Sequence, residues 1–269
     1  MKTLLFITAL LLVASVSAQE KILASEIITK INNGESVTIK NATISGVLDL
    51  TKLKNMKQLS HIDNTTKEYL SVVTSELSFL NCVFTDDVLA HVWEEKPNTS
   101  YRTNFAEKVT FANCTFKSQS SFKHSEFKRG GNFEGTTFYQ EANFKHASFS
   151  GNVLFNNCTF YELADFKHTS FAGSINFSKS QFNSYADFKH TNFTGFADFQ
   201  DALFKKEGDF KHTSFSSGVN FTHARFTGSA DFKHASCSGK AQLEGTVFEK
   251  GVDAQHSNFI KNGVTISSR

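Results

Sequence analysis

The dipeptide Lys-His recurs every 22 residues, at Lys123-His124, Lys145-His146, Lys167-His168, Lys189-His190, Lys211-His212 and Lys233-His234, and degrades to Gln255-His256. Inside that period runs a second one. Phe falls at steps that alternate six and five, from Phe105, Phe111, Phe116 and Phe122 through Phe232, where the last positions become Cys237, Leu243 and Phe248. Two residues before each sits a small or β-branched residue, as at Val109, Cys114, Ala142, Ala164, Ala186 and Ala230. Alternation of this kind describes a short strand that turns a corner every five or six residues. An 11-residue repeat also suits a right-handed coiled coil, but the residues between are Asp, Asn, Ser, Thr and Gly, which are poor helix formers. Four segments then close one turn, so each Lys-His lies over the one before, and the coils stack about 4.8 Å apart. Gly151, Gly173, Gly195 and Gly239 fall at one corner, where the chain is expected to turn sharply. A parallel β-solenoid accounts for both periods.

The units Ala164-Asp165-Phe166-Lys167-His168, Ala186-Asp187-Phe188-Lys189-His190 and Ala230-Asp231-Phe232-Lys233-His234 resemble the A-(D/N)-(L/F)-x-x units of pentapeptide-repeat proteins, over about residues 103 to 260. The resemblance implies an all-β fold, a right-handed quadrilateral parallel β-helix with the small residue and the Phe inward and the other three outward. It also implies homodimer formation through the C-terminal coil. Alternate units here carry a sixth residue, which loosens either two faces or two corners. Members of this family that resemble a DNA duplex and protect a topoisomerase are strongly acidic. That role is not carried over, because 28 Lys+Arg against 26 Asp+Glu give a formal charge of +2. This balance also excludes a strongly basic nucleic-acid binder.

The chain divides into a leader at 1–18, a capping helix at 19–36, irregular first coils at 37–104 and a regular β-helix at 105–269. Met1 to Ala18 carries Lys2, an apolar run from Leu4 to Val16 and the small-residue end Val16-Ser17-Ala18. This reads as a secretory signal peptide cleaved after Ala18, too short for a membrane span, which predicts an exported, periplasmic or extracellular protein. Ile22, Leu23, Ile27, Ile28 and Ile31 share one side of a helical pattern closed at Asn32-Asn33-Gly34, suited to cover the first coil. Insertions are expected at 51–75 and 85–104. The second carries the sole Trp, Trp93, and the sole Pro, Pro97, either folded back onto the solenoid with Val88 and Val92 or presented to a partner.

Cys82, Cys114, Cys158 and Cys237 occupy inward positions and read as small core residues rather than disulfide partners. Phosphate-loop, H-E-x-x-H and G-x-S-x-G motifs are missing, so the chain is expected to be no enzyme and to hold no cofactor. The Lys-His ladder and Trp93 are the candidate sites. Asp165, Asp187, Asp209, Asp231 and Asp253 flank the ladder and are expected to neutralise it. Stacked imidazoles point the same way and do not converge on a metal. Isolated His61, His91 and His223 read as surface residues. The expected function is a rigid structural or protein-binding scaffold at the cell envelope. The alternative is a binder of anionic envelope glycan through the Lys-His face, strengthening below about pH 6.5 as the imidazoles charge.

Overall fold

The computed structural model describes residues 19–59, 66–96 and 98–258. The leader at 1–18, His61, Pro97 and the last eleven residues, with Val264 and Ile266, lie outside them. So does the end of the chain through which a homodimer was expected to form.

Four sheets of ten, ten, nine and nine strands form the four walls of a solenoid. Most strands are two residues long, each paired in parallel with the strand 22 residues away, as in Ala164↔Ala186 and Asp165↔Asp187. Ten strands at about 4.8 Å make a rod roughly 43 Å long. The register never slips, because a one-residue shift would turn every Phe outward. The sixth residue of alternate segments sits at two opposed corners and leaves all four walls in step.

The interior is four columns of Phe rings. Phe166, Phe188 and Phe210 stack at 5.1 and 4.8 Å with planes within 7°, while Phe177 meets Phe188 edge-on at 83°. Stacking along each column and edge contacts between columns satisfy both geometries that aromatic quadrupoles favour. Phe166, Phe188 and Phe210 are fully buried, each contributing roughly 2–3 kcal/mol. Inward Thr and Ser residues answer the one polar demand of this core. Thr169, Thr191 and Thr213 donate their hydroxyls to the carbonyls of Phe144, Phe166 and Phe188 at 2.8, 2.7 and 2.7 Å. The Cys158 thiol makes the same bond to Phe133. Cys82, Cys114 and Cys158 are buried, whereas Cys237, near the end of the rod, is half-buried.

The glycine corner has a cause other than a sharp turn. A Cβ on Gly195 would stand 2.2 Å from the carbonyl oxygen of Gly173, and one on Gly173 would meet Gly151 at 2.6 Å. None of these residues has a positive φ; what they permit is the close approach of backbone to backbone.

At the N-terminal end, β1 (Glu20–Leu23) pairs in parallel with β3 (Ala42–Ser45), and only then does α1 (Ala24–Asn32) begin. Ile22 and Leu23 therefore lie in a strand, and Leu23 is exposed. The helix buries Ala24, Ile27 and Ile31 over the first coil, against β2 (Val37–Lys40) and β4 (Leu48–Asp49). It ends at Asn33 and Gly34, as expected. Among the described residues no helix is long and apolar enough to cross a membrane.

The irregular coils keep more of the solenoid than the boundaries 51–75 and 85–104 imply. After the short β5 (Lys57–Gln58), β6 (Lys67–Val73) enters a wall with Val73 buried in the core. Past β7 (Leu77–Leu80) and β8 (Val83–Phe84), β9 (Val88–Leu89) does the same with Val88 buried. β10 (His91–Glu94) folds back antiparallel on β11 (Thr99–Phe105), which runs parallel to β6 for seven residues.

Candidate functional site

Every Lys-His lands at the same corner, immediately after an inward Phe. The His occupies a left-handed backbone conformation in each coil, with φ between 54° and 59° from His124 to His256. Side chains that tolerate this region are few, and His, Asn and Asp lead them after Gly. The opposite corner makes the same demand and is filled by Asn113, Gly135, Asn157, Lys179, Asp201 and His223. The histidines thus answer a backbone requirement before any chemical one.

Their rings form a continuous stack. His146, His168, His190, His212 and His234 follow one another at 4.7 to 4.8 Å with planes within 7°. Burial, and then the charge each neighbouring imidazole would carry, hold His146, His168 and His190 below the usual histidine range. His124 is held down to about 3, again by burial first and then by His91, His146 and Lys123. Charging near pH 6.5, expected of an isolated imidazole, is therefore displaced to lower pH in these coils.

The residue before each inward Phe closes the turn. Oδ1 of Asp165, Asp187, Asp209 and Asp231 accepts the backbone N–H of the following ladder Lys at 2.9 to 3.1 Å, and Asn143 does so for Lys145. This Asx-type bond explains the residue choice. The second oxygen meets the Lys ammonium groups. Lys189 bridges Asp187 and Asp209 at 3.6 and 3.4 Å, Lys211 bridges Asp209 and Asp231 at 3.2 Å each, and Lys233 reaches Asp253 at 2.9 Å. Among the described residues Lys123, Lys145 and Lys167 make no such pair; Ser121 and Asn143 stand in place of Asp before the first two, whereas Lys167 follows Asp165. The ladder is thus neutralised in its C-terminal half and cationic in its N-terminal half.

Both insertions emerge from this corner. Thr103 donates its N–H to the Ala90 carbonyl at 2.8 Å, the bond that Ser125 makes to Phe122 at 3.2 Å. Ala90 and Thr103 therefore occupy the positions of Phe122 and Ser125, and residues 91–102 stand in place of a Lys-His pair. One coil earlier Leu50 and Ser71 take these positions, since Thr103 pairs with Ser71 and its hydroxyl bonds the Leu50 carbonyl at 2.8 Å. The inserted strands form a wing at the N-terminal end of the ladder, braced by stacked Tyr69 and Tyr101 at 5.2 Å and by Lys52 over the Tyr101 ring.

The wing brings the two candidate sites together. His91 is buried, not a surface residue, and its ring lies at the head of the imidazole stack, 5.3 Å from that of His124 and tilted 52° to it. Burial first, then Lys123 and Arg102, hold it down to about 4. Its Nε2 lies 3.4 Å from the Ser100 hydroxyl. Trp93 is half-exposed and does not fold back onto the core. A cavity of about 170 Å³ opens between Glu68 of β6, Trp93 of β10, Arg102 of β11, and Lys123 and His124 of the ladder. Sequence alone gives no sign of Arg102 and leaves His91 among the surface residues, because nothing marks Ala90 as a Phe position and so nothing marks the insertion point. His223 lies at the opposite corner, 3.6 Å from Asp201. Among the described residues no group of three or more His, Cys, Asp or Glu is arranged to hold a metal ion.

The family model described as pentapeptide repeats (9 copies) matches residues 101–148, 144–192 and 188–236. No curated protein matches, and no solved structure matches.

Proposed function

This chain belongs to the pentapeptide-repeat family, and we propose on that footing that it is a non-catalytic, exported β-solenoid serving as a rigid structural or protein-binding scaffold at the cell envelope. The observation that carries the reading is the solid interior. Phe rings in register fill the coils from Phe111 to Phe232 with none exposed, so the rod presents only its outer faces for use. Export rests on the leader read from residues 1–18.

A second reading, an anionic glycan lying along the Lys-His face, is favoured by the unpaired Lys123, Lys145 and Lys167. It does not extend along the whole ladder, since Lys189, Lys211 and Lys233 are already held by Asp. Affinity capture from envelope extract tests both readings, with the mature protein set beside a variant in which all six ladder lysines are Ser. Loss of a captured glycan in the variant supports the ladder. Capture of the same protein by both supports the protein-binding scaffold, and capture of nothing by either overturns protein and glycan binding and leaves the purely structural scaffold.

A further inference from the structure

The pocket under the wing is unlike the rest of the solenoid surface, which repeats every coil. It exists once, where β10 and β11 lean over the first Lys-His. Its chemistry is asymmetric. Arg102 lines it, with its Nε buried and without a hydrogen-bond partner, and among the described residues Lys123 beside it makes no ion pair. A buried guanidinium nitrogen without an acceptor carries a desolvation cost that an anion would remove. Guanidinium presents a planar fork suited to a carboxylate. Next to these cations Trp93 keeps half its surface in solvent, an apolar plate on a rigid hairpin. Ser100 and the imidazoles of His91 and His124 line the remaining side with groups that both donate and accept hydrogen bonds, and the Glu68 carboxylate adds an acceptor suited to a sugar hydroxyl.

We propose that this pocket binds the carboxylate of an acidic saccharide, with Arg102 and Lys123 on the anion and Trp93 against the apolar face of the sugar ring. The volume, about 170 Å³, admits one sugar unit rather than a length of polymer, so the pocket reads a terminal or branching uronic acid. The imidazoles and Ser100 meet its hydroxyls. A convergent set of polar groups beside an aromatic surface is the usual composition of a small-ligand site. The site goes beyond the scaffold reading and does not depend on it, since a protein partner need not touch the pocket.

Trp93 is the only Trp in the chain, so its fluorescence reports on the pocket alone. The intact mature protein is titrated with digalacturonate, with the corresponding neutral digalactoside, and with inorganic phosphate. The expected result is a saturable spectral change with digalacturonate at a dissociation constant below about 1 mM, none with the neutral sugar, and about tenfold weaker binding in Arg102→Gln at unchanged melting temperature. Lys123→Gln, on the ladder outside the hairpin, is the second variant and is expected to weaken binding severalfold. No saturation, an equal response to the neutral sugar, or unchanged affinity in both variants overturns the proposal. Equal affinity for phosphate leaves a bare anion site and overturns the saccharide. Envelope capture that fails while this titration succeeds sinks the protein-binding scaffold alone, and the reverse outcome sinks the pocket alone.

Discussion

Lys189 reaches forward by one coil to hold the carboxylate of Asp209 at 3.4 Å. That carboxylate is almost fully buried and also meets Lys211 at 3.2 Å and the Tyr185 hydroxyl at 2.9 Å. Asp209→Asn keeps the turn-closing acceptor but removes the charge between two ammonium groups. It is expected to lower stability by about 2–4 kcal/mol in denaturant melts. Asp253→Asn, whose bridge to Lys233 stands in solvent, is expected to leave stability almost unchanged. Equal costs would show that burial does not set the strength of these bridges.

Acid is expected to weaken the fold through the imidazole stack. Burial lowers the folded-state pKa of His124 to about 3 and of His91 to about 4, and lowers those of His146, His168 and His190. The unfolded chain therefore binds protons first as the pH falls. The contribution is present above the ordinary histidine pKa of about 6.5 and is lost progressively toward the folded values. Melting temperature measured between pH 7 and pH 4 should fall, and His124→Asn should flatten the slope. A profile that is level over this range would rule out the stack as its origin.

Backbone conformation rather than imidazole chemistry should govern what the ladder tolerates. At His168, φ is 58°. His168→Asn is expected to be nearly neutral, whereas the β-branched His168→Val should cost about 1–2 kcal/mol in left-handed strain. Should Asn prove as costly as Val in the same melts, the ring stack itself would be the source of stability.

Gly195→Ala places a methyl group 2.2 Å from the Gly173 carbonyl oxygen. The coils must part to admit it, at about 1–3 kcal/mol. Hydrogen exchange should show the loss of protection centred on the coils that meet at 173 and 195 and fading away from them, because each coil touches only its neighbours.

The regular coils were legible because one requirement, a ring pointing inward at every fifth or sixth residue, is met without a gap from Phe105 to Phe232. The departures obey tertiary demands that leave no periodic trace. Ile22 and Leu23 continue the apolar spacing of α1, yet the edge of β3 takes them as a parallel partner because an open strand edge costs more than a shortened helix. His91 looked solitary because Ala90 stands where Phe is due. Only the bond from Thr103 to Ala90 reveals that the hairpin replaces a Lys-His. The ladder itself was visible in full, while the reason for its histidines, a positive φ, is a property of the corner and not of the spacing.

The constant 22-residue register also bears on how such a chain can change length. Each coil carries its own rings, its own turn-closing Asx residue and its own pair of left-handed corners, and it is joined to its neighbours by the same bonds throughout. Excision or tandem duplication of 22 residues, wherever the cut is made in the regular part, rejoins like to like and leaves wing and helix untouched. Loss of five residues would displace every later wall by a quarter turn. Recombination between its own near-identical stretches would therefore move the rod through discrete sizes, each about 4.8 Å apart, without passing through an unfoldable intermediate.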